Sequence, residues 1–378
     1  MSIYLDHAAT VPMVEPAIRA LTESLGAVGN ASSLHTDGRS VRKSVEEARE
    51  HIAELAGSAG SEIIFTASGT EANNLAIKGF YWKSGKKVIV TSAIEHAATM
   101  DPVQWLVEHE GAEWISIGVN SQGCIDLDQL KAVVNSRKAE IALISIMHSN
   151  NEVGVLQPIV EVVTIADGIP VHTDASQSFG KVPFSFSDLG VTAATLSGHK
   201  VGGPLGVGAL IVKRGIDITP VLHGGGQERD IRSGTLNAPG AISFAAAAKF
   251  MCHQKYDGVA TLRKTFWESI HRNFEDVTLN GSIDNSLPGI LNLTFPGVDN
   301  ESLLVLLDME GISVSTGSAC SAGVHRPSHV LIAMGLTEKQ AMSSLRFSLG
   351  LSTTQSQLED VVKALTTVLP RARAAYKG

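Results

Sequence analysis

Residues 195–212 read TLSGHKVGGPLGVGALIV. An apolar strand ends at Leu196, and a second, buried strand runs from Gly208 to Val212. Ser197, Gly198, His199 and Lys200 form a turn between them, and a glycine-rich turn follows. A lysine enclosed by strands and glycines is not where a solvating charge usually sits. On its own residues Lys200 fits two descriptions, a surface-turn lysine or an amine placed to form an imine with an aldehyde.

Working upstream, Val171–Thr173 is a short apolar strand, and Asp174 follows at its C-terminal edge. Parallel sheets place their ligands at that edge. A carboxylate there suits the protonated nitrogen of a pyridine-type ring, and it equally suits a helix cap. Ile63–Thr66, Lys87–Thr91, Trp114–Val119, Ile141–Met147 and Ala193–Leu196 are further strand-like runs. Helical spacing marks Ser40–Ala56, Glu71–Trp82, Asp126–Asn135 and Pro158–Asp167. Strands alternating with helices predict a mostly parallel sheet covered on both faces.

Past Gly240 the texture changes. Helices are expected at Ala241–Phe250, Val259–Asn273, Glu301–Glu310 and Ser356–Ala374, with strands at Gly289–Phe295, Ile312–Ser315 and Arg346–Leu349. This reads as a smaller α/β unit.

The 378-residue length suits two domains, and the 44% hydrophobic content can fill their cores. A net charge of -8 argues against a nucleic-acid or anionic-membrane surface. MSIYLDHAAT shows no basic region followed by an apolar run, so a cytoplasmic location is expected. The three cysteines, Cys124, Cys252 and Cys320, are widely spaced, which predicts neither a disulfide framework nor a metal site.

Two more segments suit a bound anion and a flat ring. In FTASGTEANN, residues 65–74, a strand turns into a helix at Gly69–Thr70. Free amides at a helix start attract anions, though the same residues make an ordinary cap. In IEHAATM, residues 94–100, His96 follows a strand end and can stack on a ring or move protons, or simply pack in the core. Cys320 lies among small polar residues between Ile312–Val314 and Val330. That composition fits a loop, or a small residue at a tight turn.

Together these segments carry a family likeness. YLDHAAT, GNASSLH, TEANN, EHAA, NNEVGVLQP, HTDASQ, SGHKVGGPLGVG, GGGQERDIRSGT, STGSACSAG, PSHVL and RFSLG occur in this order from residue 4 to residue 350. The chain resembles the cysteine desulfurases, in the class V aminotransferase group of fold-type I pyridoxal-phosphate enzymes. The Cys320 segment resembles the group with the long mobile catalytic-cysteine loop. Ala31, and the order Ala67-Ser68-Gly69, depart from the usual family pattern.

The resemblance implies an aspartate-aminotransferase-like α/β fold. Residues 14–255 form the large domain with a seven-stranded sheet, and residues 1–13 and 256–378 form the small domain. It implies pyridoxal 5'-phosphate on Lys200, His96 over the ring, Asp174 at the ring nitrogen and Gln177 at the phenolic oxygen. Gly69, Thr70, Ser197 and His199 would hold the phosphate, with Thr235 reaching the phosphate of the neighbouring subunit of a homodimer. Asn151 and Arg346 would hold the substrate carboxylate, with Asn30 at the same entrance. Cys320 would receive sulfur from L-cysteine as a persulfide, leaving L-alanine. The acceptor would be a protein serving iron–sulfur assembly, tRNA thiolation or DNA phosphorothioate modification. A selenocysteine or cysteine-sulfinate lyase shares the same constellation, and a sulfur-relay subunit active mainly inside a larger assembly is the alternative of another class.

Overall fold

The computed structural model describes residues 2–317 and 326–376. Its strands are β1 (Ile3–Tyr4), β2 (Ile63–Thr66), β3 (Val88–Ser92), β4 (Glu113–Ile117), β5 (Ile141–Ser145), β6 (Val171–Asp174), β7 (Ala193–Ser197), β8 (Gly208–Val212), β9 (Thr278–Asn280), β10 (Ile290–Thr294), β11 (Ile312–Ser313) and β12 (Ser344–Ser348). Seven of them form one sheet in the order β2-β8-β7-β6-β5-β3-β4. Every pairing is parallel except those of β8, which runs antiparallel to β2 and β7.

Successive side chains of a strand face opposite ways, and this sheet buries both faces. Ile63, Phe65, Val88 and Val90 enter one core, while Ile64, Ile89 and Leu210 enter the other. Such strands read as continuous apolar runs, as IIFT and IALIS do. Truncating the fully buried Ile89 to Ala would cost about 2–5 kcal/mol. A close approach fixes one glycine here: a Cβ on Gly208 would stand 2.7 Å from the Ser68 carbonyl carbon and 2.9 Å from Leu196 O. The chain can enter β8 beside the start of the helix Gly69–Ser84 only without a side chain.

A second core surrounds the antiparallel sheet β12-β10-β9, with Phe266, Phe295, Phe347 and Leu365 at its centre. Helices Asp257–Asn273, Asn300–Met309 and Gln355–Ala375 pack on it. The N-terminal segment joins this unit. β1 pairs in parallel with β11, Leu5 enters the second core, and the Ala8 amide donates to Ser348 Oγ at 2.9 Å. The observed architecture is thus the large, mostly parallel sheet plus smaller α/β unit expected from the sequence.

Among the helices the sequence reading passed over are two with prolines. Glu15–Leu25 starts with a proline in its first turn, and Ala97–Glu110 carries Pro102 inside it. No helix among the described residues is long and apolar enough to cross a membrane.

What the fold does for function follows from strand direction. β3, β5, β6 and β7 run the same way, so the residues after Ser92, Ser145, Asp174 and Ser197 all emerge at one sheet edge.

Candidate active site

At that edge lies a cavity of about 570 Å³, lined by Gly69, Thr70, His96, Asn151, Asp174, Gln177, Ser197, His199, Lys200 and Arg346. The sequence segments that supply them are as far apart as residues 69 and 346.

Lys200 Nζ donates to two backbone carbonyls of the N-terminal segment, Ala8 O at 2.7 Å and Ala9 O at 2.9 Å. Burial and the nearby Arg346 push its pKa down to about 8, against the opposing pull of Asp174 and Asp6. That makes the neutral, nucleophilic amine accessible close to neutral pH.

Asp174 is buried, and both of its oxygens are oriented. Asn73 Nδ2 donates to Oδ2 at 2.7 Å, and the Ser176 amide donates to Oδ1 at 2.9 Å. Asn73 was not singled out from sequence, although TEANN carries it. Gln177 Nε2 donates to Ala8 O at 2.8 Å, so this carbonyl receives Gln177 and Lys200 together.

Ser68 caps the helix Gly69–Ser84 by accepting from the Glu71 amide at 3.1 Å. The amides of Gly69 and Thr70 find no partner among the described residues, which leaves two donors at the positive end of a 16-residue helix. Gly69 is tightly enclosed: a Cβ there would stand 3.2 Å from Ser176 Oγ and 3.3 Å from Ser197 Cβ.

His96 caps its own helix, with Nδ1 accepting from the Ala98 amide at 3.0 Å. An accepting Nδ1 puts the proton of the neutral ring on Nε2. Desolvation lowers the His96 pKa, while Asp174 pulls it the other way. His199 contacts Thr10 Oγ1 through Nδ1 at 3.2 Å, and its pKa is pushed down to about 4 by burial and by Lys200 and Lys181.

Arg346, on β12, brings the small unit to the cavity. Nη2 donates to Asp6 Oδ1 at 2.7 Å and Nη1 to Asn151 O at 2.8 Å. Its buried Nε has no partner among the described residues. The guanidinium itself lines the cavity, and its planar fork is suited to an incoming carboxylate.

Sequence reasoning overlooked Glu152, which also lines the cavity. It is buried, accepts from Ser328 Oγ at 2.6 Å, and has its pKa raised by burial. Asn30 and Thr235 are not on this cavity. Both line another, of about 580 Å³, on the same chain. Cys320 lies outside the described residues.

A profile of the class-V aminotransferases matches residues 3–361. An IscS-like cysteine desulfurase of Mycobacterium tuberculosis is 45% identical over 383 residues, covering 98% of this chain and 97% of that one. The chain belongs to this family. It is a class-V aminotransferase of the cysteine desulfurase kind, with the fold-type I architecture. A solved NifS-like protein superposes with a TM-score of 0.91 at 32% identity, covering 98% of this chain and all of that one. A structure described as SspA in complex with cysteine superposes at 0.82 with 34% identity, covering 92% and 99%.

The family depends on pyridoxal phosphate, and the residues present fit that group. The enclosed Gly69 with its free amides suits a phosphate. The oriented Asp174 suits a ring nitrogen, and the depressed pKa of Lys200 suits an aldehyde.

Proposed function

We propose that this desulfurase converts L-cysteine to L-alanine with Lys200, His96, Asp174 and Arg346 in the roles the resemblance implies, and that Cys320 takes the sulfur as a persulfide and passes it to an acceptor protein. The observation that carries the reading is the meeting of these distant segments on one cavity, around a lysine whose pKa is lowered to about 8. The related structure solved with cysteine supports the choice of substrate.

When bound, pyridoxal phosphate supplies an aldehyde for the substrate amine and a ring that accepts electrons from the substrate carbon. Gly69 and Thr70 amides, with Thr70, Ser197 and His199 side chains, would hold its phosphate. Gln177 would meet the phenolic oxygen and Asp174 the ring nitrogen. Lys200, partly neutral near its pKa, takes the proton from the substrate Cα. Arg346 offers the substrate carboxylate its guanidinium, beside the Asn151 side chain. His96 holds a proton on Nε2 and exchanges it with the substrate. The Cys320 thiolate attacks the substrate sulfur. The S–S bond forms as the C–S bond breaks, and the carbon product is alanine.

The same reading includes a homodimer. Thr235 and Asn30 share a cavity away from Lys200, on a chain region that also exposes Val28 and Leu34. A second copy would bring them to the partner's site. The division at residues 14–255 belongs to the proposal too, as does a cytoplasmic location, which the free thiols of Cys124 and Cys252 support.

The test is mass spectrometry after cysteine addition, with alanine measured in parallel. One added sulfur on the Cys320 peptide is expected, and Cys320→Ser should bind cofactor yet lose alanine production. Undiminished alanine from Cys320→Ser would reject the assignment. Turnover of cysteine, selenocysteine and cysteine sulfinate side by side separates the lyase alternatives.

A further inference from the structure

Behind the active site, on the far side of Ala8 and Gln177, lies a separate cavity of about 380 Å³ between the large and small units. Ala8 and Gln177 line both cavities and so form the wall between them. The lining of the second one is chiefly apolar, with Val11, Phe250, Leu287 and Leu349 among its walls. Lys181 and His7 are set into these walls, and no acidic side chain among the described residues lines this cavity; Lys181 also borders a larger neighbouring cavity that holds Asp257 and Asp284.

Lys181 Nζ makes one hydrogen bond, a long one of 3.3 Å to Gln177 Oε1. No carboxylate among the described residues pairs with it. His7 is 6% exposed, and its Nδ1 is buried without a partner. The ring cannot turn away from this position. Tyr4 packs edge-on at 5.0 Å, and a Cβ on Gly350 would stand 2.3 Å from His7 Cε1. Nδ1 is closed off from open space, so a ligand in the cavity meets the ring at its other edge, through Nε2.

We propose that this cavity is a binding site for a small aliphatic monocarboxylate, whose charged end meets Lys181 and His7 while its apolar tail lies along Val11, Phe250 and Leu349. A carboxylate satisfies both polar groups at once, whereas a neutral apolar ligand leaves both unpaired. The electrostatics agree. Burial, with Lys200 and Arg346 nearby, pushes the Lys181 pKa down to about 7, and burial and Lys181 hold His7 near 4. An anion relieves the first and accepts a hydrogen bond from the neutral second. In a chain of net charge -8, this is a pocket of the opposite sign.

The experiment is calorimetric titration of the holoenzyme with hexanoate, using hexanamide as the neutral counterpart. Hexanoate should bind saturably at one site per chain. Hexanamide should bind at least roughly tenfold more weakly, since it lacks the charge-assisted contact. Lys181→Met should lose hexanoate binding to a similar degree, Lys181→Arg should retain it, and Arg346→Ala should retain it because the substrate site is elsewhere. Absence of saturable binding, equal affinity for hexanamide, or binding lost in Arg346→Ala and kept in Lys181→Met would each overturn the proposal. Should Lys181→Met fail to fold, the hexanamide and Lys181→Arg arms still decide.

Discussion

Lys181 and Lys200 are two half-buried lysines in the same part of the molecule, and both have lowered pKa values, to about 7 and about 8. Near neutrality both amines are therefore partly in the neutral, nucleophilic form. What separates them is company. Around Lys200 stand an oriented carboxylate, a capped helix with two free amides, an imidazole of defined tautomer and a guanidinium. Around Lys181 stand apolar walls, one histidine and the Gln177 amide, with a larger cavity holding Asp257 and Asp284 on its other border. A lowered pKa makes an amine available, and the surrounding donors and acceptors decide what it can do.

The largest expected effect tests that difference. Lys200→Ala should lower alanine formation by on the order of a thousandfold or more, because it removes the covalent holder and the proton acceptor together. The yellow colour expected of the holoenzyme should become dialysable. Lys181→Met should keep a colour that survives dialysis. A stably coloured Lys200→Ala protein would break the comparison.

Arg346 comes next. Arg346→Ala should lower kcat/KM by roughly a hundredfold, with KM raised, and Arg346→Lys should recover little because lysine lacks the planar fork. Asp6 would then lose its partner at 2.7 Å, so thermal stability must be measured alongside. Steady-state kinetics of Arg346→Lys at wild-type level would place the carboxylate elsewhere.

The pH dependence of cofactor loading sharpens the comparison. Only the neutral Lys200 amine attacks an aldehyde, so the rate of loading into apoenzyme should rise with pH and level off above about 8. In Arg346→Ala the midpoint should move upward, since Arg346 helps to depress the pKa. A wild-type midpoint beyond pH 10, followed by absorbance after mixing, would show that Lys200 is not desolvated.

The smallest effect concerns Glu95, which is fully buried next to His96 and has its pKa raised by burial to about 8. A raised carboxyl pKa adds stability below the ordinary carboxylate range, and that contribution is lost as pH rises through 8. Glu95→Gln cannot ionise. Its unfolding free energy relative to wild type should therefore improve between pH 6 and pH 9, by roughly 2–3 kcal/mol. A difference independent of pH would mean that Glu95 does not titrate there.

The large sheet was legible because both its faces are buried, so strands such as Ile141–Ser145 stand out as apolar runs between turns. The helix Ala97–Glu110 was not, because Pro102 interrupts its pattern and its apolar residues form no clear stripe. Side chains of the site could be named from their motifs. Their backbone partners could not. Nothing in YLDHAAT announces that the Ala8 and Ala9 carbonyls receive Lys200, since every residue carries a carbonyl and only the fold selects which ones matter. Nor does sequence show that Arg346 already holds Asp6 and Asn151 O, or that Asn30 and Thr235 share a cavity of their own.

The most direct test is to reduce the holoenzyme with borohydride, digest it and map the modified lysine. The pyridoxyl group is expected on the peptide containing Lys200, with the peptide containing Lys181 unmodified. The label on Lys181, or on any lysine other than Lys200, would contradict it.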